Sequence, residues 1–144
     1  MVNSDTRELL KECDQGVKMG IESIDSVAEN TDDLNLSELL LKYRDLHEGL
    51  KDELEVILNE RSLKGEEPKT IAKSMAAMKT GFKMMMEDSD RTVAELMTDG
   101  CHMGIKSLNK YLNEYKSAEP VAQDMAKKII STEEDFEKDL RKYL

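Results

Sequence analysis

The sequence has few of the residues that mark several common classes of protein. Its 144 residues include no Trp, only two Cys and two Pro, and aromatic side chains make up 4% of the chain. Because strands are enriched in aromatic and β-branched residues, this shortage disfavours a β-rich fold. Cys13 and Cys101 are too few for a disulfide framework and form no Cys-x-x-Cys pair, so we expect buried free thiols.

Long apolar runs and basic clusters are also missing. The apolar runs span only a few residues, as at 39–41, whereas a membrane-spanning helix needs about 20. The N-terminus lacks the cationic start and apolar stretch of a signal peptide. With 21 Lys and Arg against 31 Asp and Glu, the net charge of −10 repels phosphate. We therefore expect a cytoplasmic protein that binds neither nucleic acid nor membrane.

What the sequence does contain is regularly spaced apolar residues among good helix formers. Apolar positions recur every three to four residues in five segments, which predicts amphipathic helices. The predicted helices cover residues 4–28, 37–62, 70–87, 90–115 and 119–143. Ser4 or Thr6 is expected to cap the first of them. The length of 144 residues suits one domain, so we predict a single all-α domain over 1–144.

The lengths of the loops indicate how the helices pack. Short loops follow the helices at 4–28 and 90–115, so each is expected to form an antiparallel hairpin with the next helix. The connection from 62 to 90 is roughly 25 residues long and contains the predicted helix 70–87, as a crossover along a bundle requires.

The predicted crossover helix is rich in methionine, at Met75, Met78, Met85 and Met86. Methionine fills irregular gaps well, so we expect these side chains to pack against the bundle. The alternatives are an exposed groove for a protein partner and a soft-metal site.

An internal repeat relates the two predicted hairpins. Residues 15–24 read QGVKMGIESI and residues 99–108 read DGCHMGIKSL, and a looser match pairs 46–54 with 132–140. Both copies contain Gly-x-x-x-Gly, and because glycine inside a helix costs about 1 kcal/mol relative to Ala, we expect two helix backbones to approach closely there. Two hairpins joined by a long crossover predict a ferritin-like four-helix bundle with an extra helix in the crossover.

Three stretches of the sequence carry a resemblance to a known family. They are Asp14-Gln15-Gly16 leading to Gly20-Ile21, the stretch 50–54 with Glu53, and the crossover helix followed by Asp88-Ser89-Asp90. Over roughly residues 6–143, the chain resembles a bacterial ferritin-like domain-of-unknown-function family near the rubrerythrins. The resemblance implies the ferritin-like bundle fold and an association with stress or metal physiology.

The ligands of a ferritin-like di-iron centre are missing from the predicted inward positions. Such a centre needs a carboxylate from each of two helices and Glu-x-x-His from each of the other two. No Glu-x-x-His occurs, because neither Glu48 nor Glu134 has His three residues later. The predicted inner faces of helices 4–28 and 90–115 carry no carboxylate. We therefore expect no di-iron centre and no cofactor.

A divergent site for iron or another divalent metal is the alternative. Its expected ligands lie at equivalent heights in the two copies of the repeat: His47, Glu48, Glu134 and Glu137. Asp99 and His102 are weaker candidates, because residues three apart share a helix face but this face is expected to be solvated. His47 aligns with Glu133, which indicates a boundary position for both.

These observations favour a binding or structural protein over an enzyme. We expect a stress-related ferritin-like bundle without the usual di-iron site that assembles as a homodimer. The alternative is a divergent metal-binding protein that stores metal or acts as an oxidoreductase. A third hypothesis is a partner-binding module whose Met-rich crossover helix leaves the bundle and exposes its groove.

Overall fold

The computed structural model of the chain describes residues 2–65 and 89–144. Four long helices lie in these ranges: α1 (Ser4–Ala28), α2 (Leu34–Glu60), α3 (Ser89–Glu114) and α4 (Pro120–Leu140), with a 3-10 turn at Arg141–Tyr143. These described ranges contain no strand, so the prediction of an all-α fold is confirmed. The predicted crossover helix 70–87 and its methionines lie outside the described residues.

Side-chain caps determine where the first two helices begin. The Asn3 side chain accepts a hydrogen bond from the Thr6 backbone N–H at 2.8 Å, so the prediction that Ser4 or Thr6 caps α1 is wrong. Asp33 accepts from the Leu36 N–H at 2.9 Å, and α2 therefore begins before the predicted residue 37. Both side chains satisfy N–H groups that have no partner within the first turn.

The bundle consists of two antiparallel hairpins, α1–α2 and α3–α4. In the first, the Arg44 guanidinium donates to the Asp25 carboxylate at 2.6 Å. In the second, Nε2 of His102 lies 3.4 Å from Oε1 of Glu137. The helix α1 also packs against α3 and α4, and α2 packs against α4, so the hairpins share one interior.

The helix ends show how the chain passes from one hairpin to the other. Just after α2, Arg61 donates to Glu119 in the loop between α3 and α4 at 3.2 Å. At the other end of the bundle, Asp90 in the first turn of α3 accepts from the Asp32 N–H at 2.9 Å. The chain between α2 and α3 therefore joins opposite ends of the bundle.

The apolar core is divided into two clusters, one towards each end of the bundle. On α2, the buried residues from Leu36 to Tyr43 belong to one cluster and those from Leu50 to Leu58 to the other. The boundary on α4 falls between Ile130 and Phe136. Both cysteines are buried free thiols, as predicted. None of the described helices has an apolar stretch that could cross a membrane.

The repeated glycines do not bring two helix backbones together, so that prediction is wrong. A Cβ atom built at Gly16 or Gly100 has no neighbour within 4 Å. A Cβ at Gly20 would lie 2.8 Å from Cδ2 and 2.9 Å from Nε2 of His47. A Cβ at Gly104 would lie 3.8 Å from Cγ of Glu133, an ordinary contact distance. Gly20 therefore makes room for a side chain.

We expect Gly20→Ala to destabilise the protein by about 1–3 kcal/mol, because the added methyl group collides with a buried ring. Gly16→Ala, in the same motif and the same helix, is the matched control. It meets open space and should stabilise by about 0.5–1 kcal/mol through helix propensity. Urea unfolding of both variants measures the difference, and equal effects of the same sign would contradict this role of Gly20.

Candidate functional site

A histidine and a glutamate form a buried pair between the two apolar clusters. His47 on α2 is 1% exposed, and the side chain of Glu133 on α4 is 12% exposed. Nε2 of His47 is hydrogen-bonded to Oε1 of Glu133, and Nδ1 lies 2.6 Å from the Tyr43 carbonyl oxygen. The expectation that His47 lies at the boundary is wrong, because Gly20 leaves space for its ring and both ring nitrogens find partners inside the protein.

The partners of His47 determine where its protons lie. A backbone carbonyl can only accept, so Nδ1 carries a proton and donates it to Tyr43. One further proton lies between Nε2 and the Glu133 carboxylate. Burial lowers the pKa of His47, but the hydrogen bond and negative charge of Glu133 and the Tyr43 carbonyl together raise that pKa above its ordinary value of 6.5. The pair therefore holds its proton more tightly than free histidine does.

The thiol of Cys101 on α3 is buried and lies close enough to Glu133 for that carboxylate to affect it. Burial and the charge of Glu133 raise the pKa of the Cys101 thiol. Burial raises the pKa of Cys13 to about 12. Because the thiolate is the reactive form of cysteine, neither sulfur is activated as a nucleophile at neutral pH.

Aromatic contacts join α2 to α4 beside the pair. The ring of Tyr43 stacks on Phe136 with ring centres 4.3 Å apart, and the ring of His47 meets Phe136 edge-on at 6.4 Å. The Tyr43 hydroxyl donates to Asp139 at 2.6 Å. Burial and this carboxylate raise the pKa of Tyr43. Tyr43, whose backbone carbonyl accepts a hydrogen bond from His47, is thus held in place by the contacts of its own side chain with Phe136 and Asp139.

The sequence-predicted ligand set His47, Glu48, Glu134 and Glu137 does not form a common site. Only His47 is buried, while Glu48 lies 3.5 Å from Arg44 on its own helix and Glu134 is exposed. Within 2–65 and 89–144, no group of three or more His, Cys, Asp or Glu side chains is arranged to hold a metal ion. The physical reason is helix geometry, since adjacent residues point about 100° apart.

The weaker candidates, Asp99 and His102, are both on the outside of α3. The His102 side chain is 59% exposed and contacts Glu137 of α4 instead of Asp99. The Arg141 guanidinium, at 2.8 Å, and His102 together hold the pKa of Glu137 below its usual value. On this surface, Glu137 is thus paired with Arg141 and His102.

The sequence pattern indicated His47 as a candidate but not its partner Glu133. The signal that could have identified Glu133 is the looser repeat, which aligns residue 47 with residue 133. Equivalent positions of two similar hairpins meet where the hairpins face each other, so two polar residues at one repeat position are candidates for direct contact.

The described helices define an all-helical bundle. No protein-family model matches the sequence, and no curated protein matches it significantly. Among solved structures, the fold is similar to the crystal structure of a DUF305 fragment from Deinococcus radiodurans, with a TM-score of 0.75 over 97% of this chain and 95% of that chain. The sequence identity is 14%, so the similarity establishes a shared fold with a helical domain of unknown function and nothing further.

The buried pair predicts a pH dependence of stability. Because the folded-state pKa of His47 is raised above 6.5, the stabilisation is full below about pH 6.5 and is lost as pH rises through the raised value. We expect urea unfolding to show a falling free energy of unfolding over this range, and NMR to show His47 titrating above its ordinary value of 6.5.

The control variant is Glu133→Gln, which retains the shape of the side chain but removes its charge. The pKa of His47 should fall, and the loss of stability with rising pH should disappear. An unchanged titration of His47 in Glu133→Gln would contradict the assignment.

Proposed function

We propose that this chain is a ferritin-like helical bundle that acts as a non-catalytic binding or structural protein. Two antiparallel hairpins, joined by a connection between opposite ends of the bundle, support the ferritin-like topology. The internal repeat of the two hairpins supports it as well. The fold similarity to a domain of unknown function is compatible with this proposal but adds no activity to it.

The chemistry at the centre of the bundle supports the proposal of a non-catalytic function. In di-iron bundles, two helices each supply an inward carboxylate to the metals. At the level of the buried pair, α1 and α3 instead have Gly20 and Gly104. At this level, His47 and Glu133 bind each other, and the Tyr43 carbonyl holds the second nitrogen of His47. A metal would first have to displace these hydrogen bonds.

The proposal includes three expectations about the setting of the protein. They are a cytoplasmic location, a homodimer, and a protein partner at the Met-rich segment 70–87, which lies outside the described residues. The resemblance noted in the sequence adds a role in stress physiology. The net charge of −10 favours partners other than nucleic acid, because phosphate is repelled.

Metal analysis tests the proposal directly. We expect protein purified from iron-supplemented cells to contain iron, zinc, manganese and copper well below one equivalent per chain, because the central ligand atoms are already hydrogen-bonded. Inductively coupled plasma mass spectrometry provides the measurement. About two irons per chain, the content of a di-iron bundle, would overturn the proposal.

A divergent metal-binding protein makes a different prediction in thermal unfolding. Iron or zinc would raise its Tm, and the rise would vanish in the double variant Glu48→Ala, Glu134→Ala. Our proposal expects no metal-dependent rise in either protein. The matched control is Glu55→Ala, Asp124→Ala, which removes two exposed carboxylates from the same helices, α2 and α4.

A further inference from the structure

We propose that the His47–Glu133 pair determines which helical hairpins can associate. The α1–α2 hairpin accepts a hairpin that presents a carboxylate at this position. It therefore pairs with the α3–α4 hairpin and rejects a second copy of itself.

The two hairpins have a similar local arrangement around the pair. In the first hairpin, Gly20 of α1 faces His47 of α2. In the second, Gly104 of α3 faces Glu133 of α4. The glycines are aligned in the repeat, and so are the two polar residues. Each hairpin thus presents one polar side chain, opposite a glycine, at an equivalent place.

Burial of apolar surface distinguishes little between the two hairpins at the repeated positions. Aligned residues are buried to a similar degree, with exposures of 4% or less: Leu50 with Phe136, Leu54 with Leu140, and Val17 with Cys101. Burial of apolar surface is non-directional, so it favours pairing of like hairpins as much as pairing of unlike ones. Directional contacts therefore have to discriminate. The His47–Glu133 contact is less exposed than the Tyr43–Asp139 contact between the same helices, because the Asp139 side chain is 43% exposed.

Only the mixed pair satisfies both polar groups. Because Nδ1 of His47 already donates to Tyr43, Nε2 needs a carboxylate partner to remain protonated inside the bundle. Two α1–α2 hairpins would place one imidazole against another, and two α3–α4 hairpins would place one carboxylate against another. Two like groups in a buried site cannot both be charged. A single buried polar contact can in this way specify which helices associate.

The surroundings of the pair contain few other titratable groups. From α1 the neighbour is Gly20, and from α3 it is the Cys101 thiol, which is neutral. On α2 the neighbour is the Tyr43 carbonyl. Glu137, one turn further along α4, is held by Arg141 and His102. Substitutions at 47 and 133 therefore report mainly on the two groups themselves.

The test compares His47→Glu, Glu133→His and the combined exchange of the two residues. Each single variant should lose roughly 10–20 °C in Tm, because it leaves two like groups facing each other. The exchange variant, which again contains one imidazole and one carboxylate, should recover most of that loss. The Tm of each variant is measured by thermal unfolding at a series of pH values.

The pH dependence separates this role from a simple loss of packing. In His47→Glu, repulsion raises the pKa of one carboxyl, so stability is lost as pH rises through that value. In Glu133→His, repulsion lowers the pKa of one imidazole, so stability is lost as pH falls. The two single variants should therefore have opposite slopes, and the exchange variant should regain the wild-type profile.

The control is an exposed ion pair between the same two helices. Lys128 of α4 donates to Glu53 of α2 at 2.7 Å, and the two side chains are 56% and 47% exposed. Reversing either charge, or exchanging both, should change the Tm little at any pH, because exposed pairs contribute weakly.

An exchange variant that is no more stable than the worse single variant would overturn the proposal, and so would equal pH slopes in the two single variants. Where a single variant does not fold, the exchange variant decides. Its folding supports the proposal, and its failure to fold overturns it.

Discussion

A polar pair at the centre of a helical bundle must be satisfied from within the protein, and much of this structure follows from that requirement. The ring of His47 needs space, which Gly20 supplies on α1. Its two nitrogens need acceptors, which the Tyr43 carbonyl and Glu133 supply. The pair lies where the apolar core divides into two clusters.

The same pair connects the fold to the proposed function. Histidine and carboxylate are the side chains from which metal centres in helical bundles are built. In this chain they neutralise each other, and the thiol of Cys101 remains protonated beside them. The proposal of a non-catalytic binding or structural protein is based on this arrangement. The similar DUF305 fragment shares the bundle, at an identity that is informative about fold alone.

The elements could be predicted more fully than the site. Apolar spacing predicted α1 to α4 to within a few residues, because a helix buries one continuous stripe of its surface. Predicting the site required a choice between adjacent residues such as Glu133 and Glu134. Their side chains have the same chemistry but point about 100° apart on the helix. The prediction that the repeated glycines bring two helix backbones together was wrong, because only Gly20 has a close neighbour and that neighbour is the side chain of His47.

The sequence by itself determined that the described residues are helical, that the cysteines are buried, and that two similar hairpins follow one another along the chain. These properties depend on local periodicity and composition, which can be read from neighbouring residues. Only the tertiary structure decided that His47 is a core residue and that Glu133 is its partner. The two residues are 86 positions apart, and their contact exists only because the hairpins fold face to face.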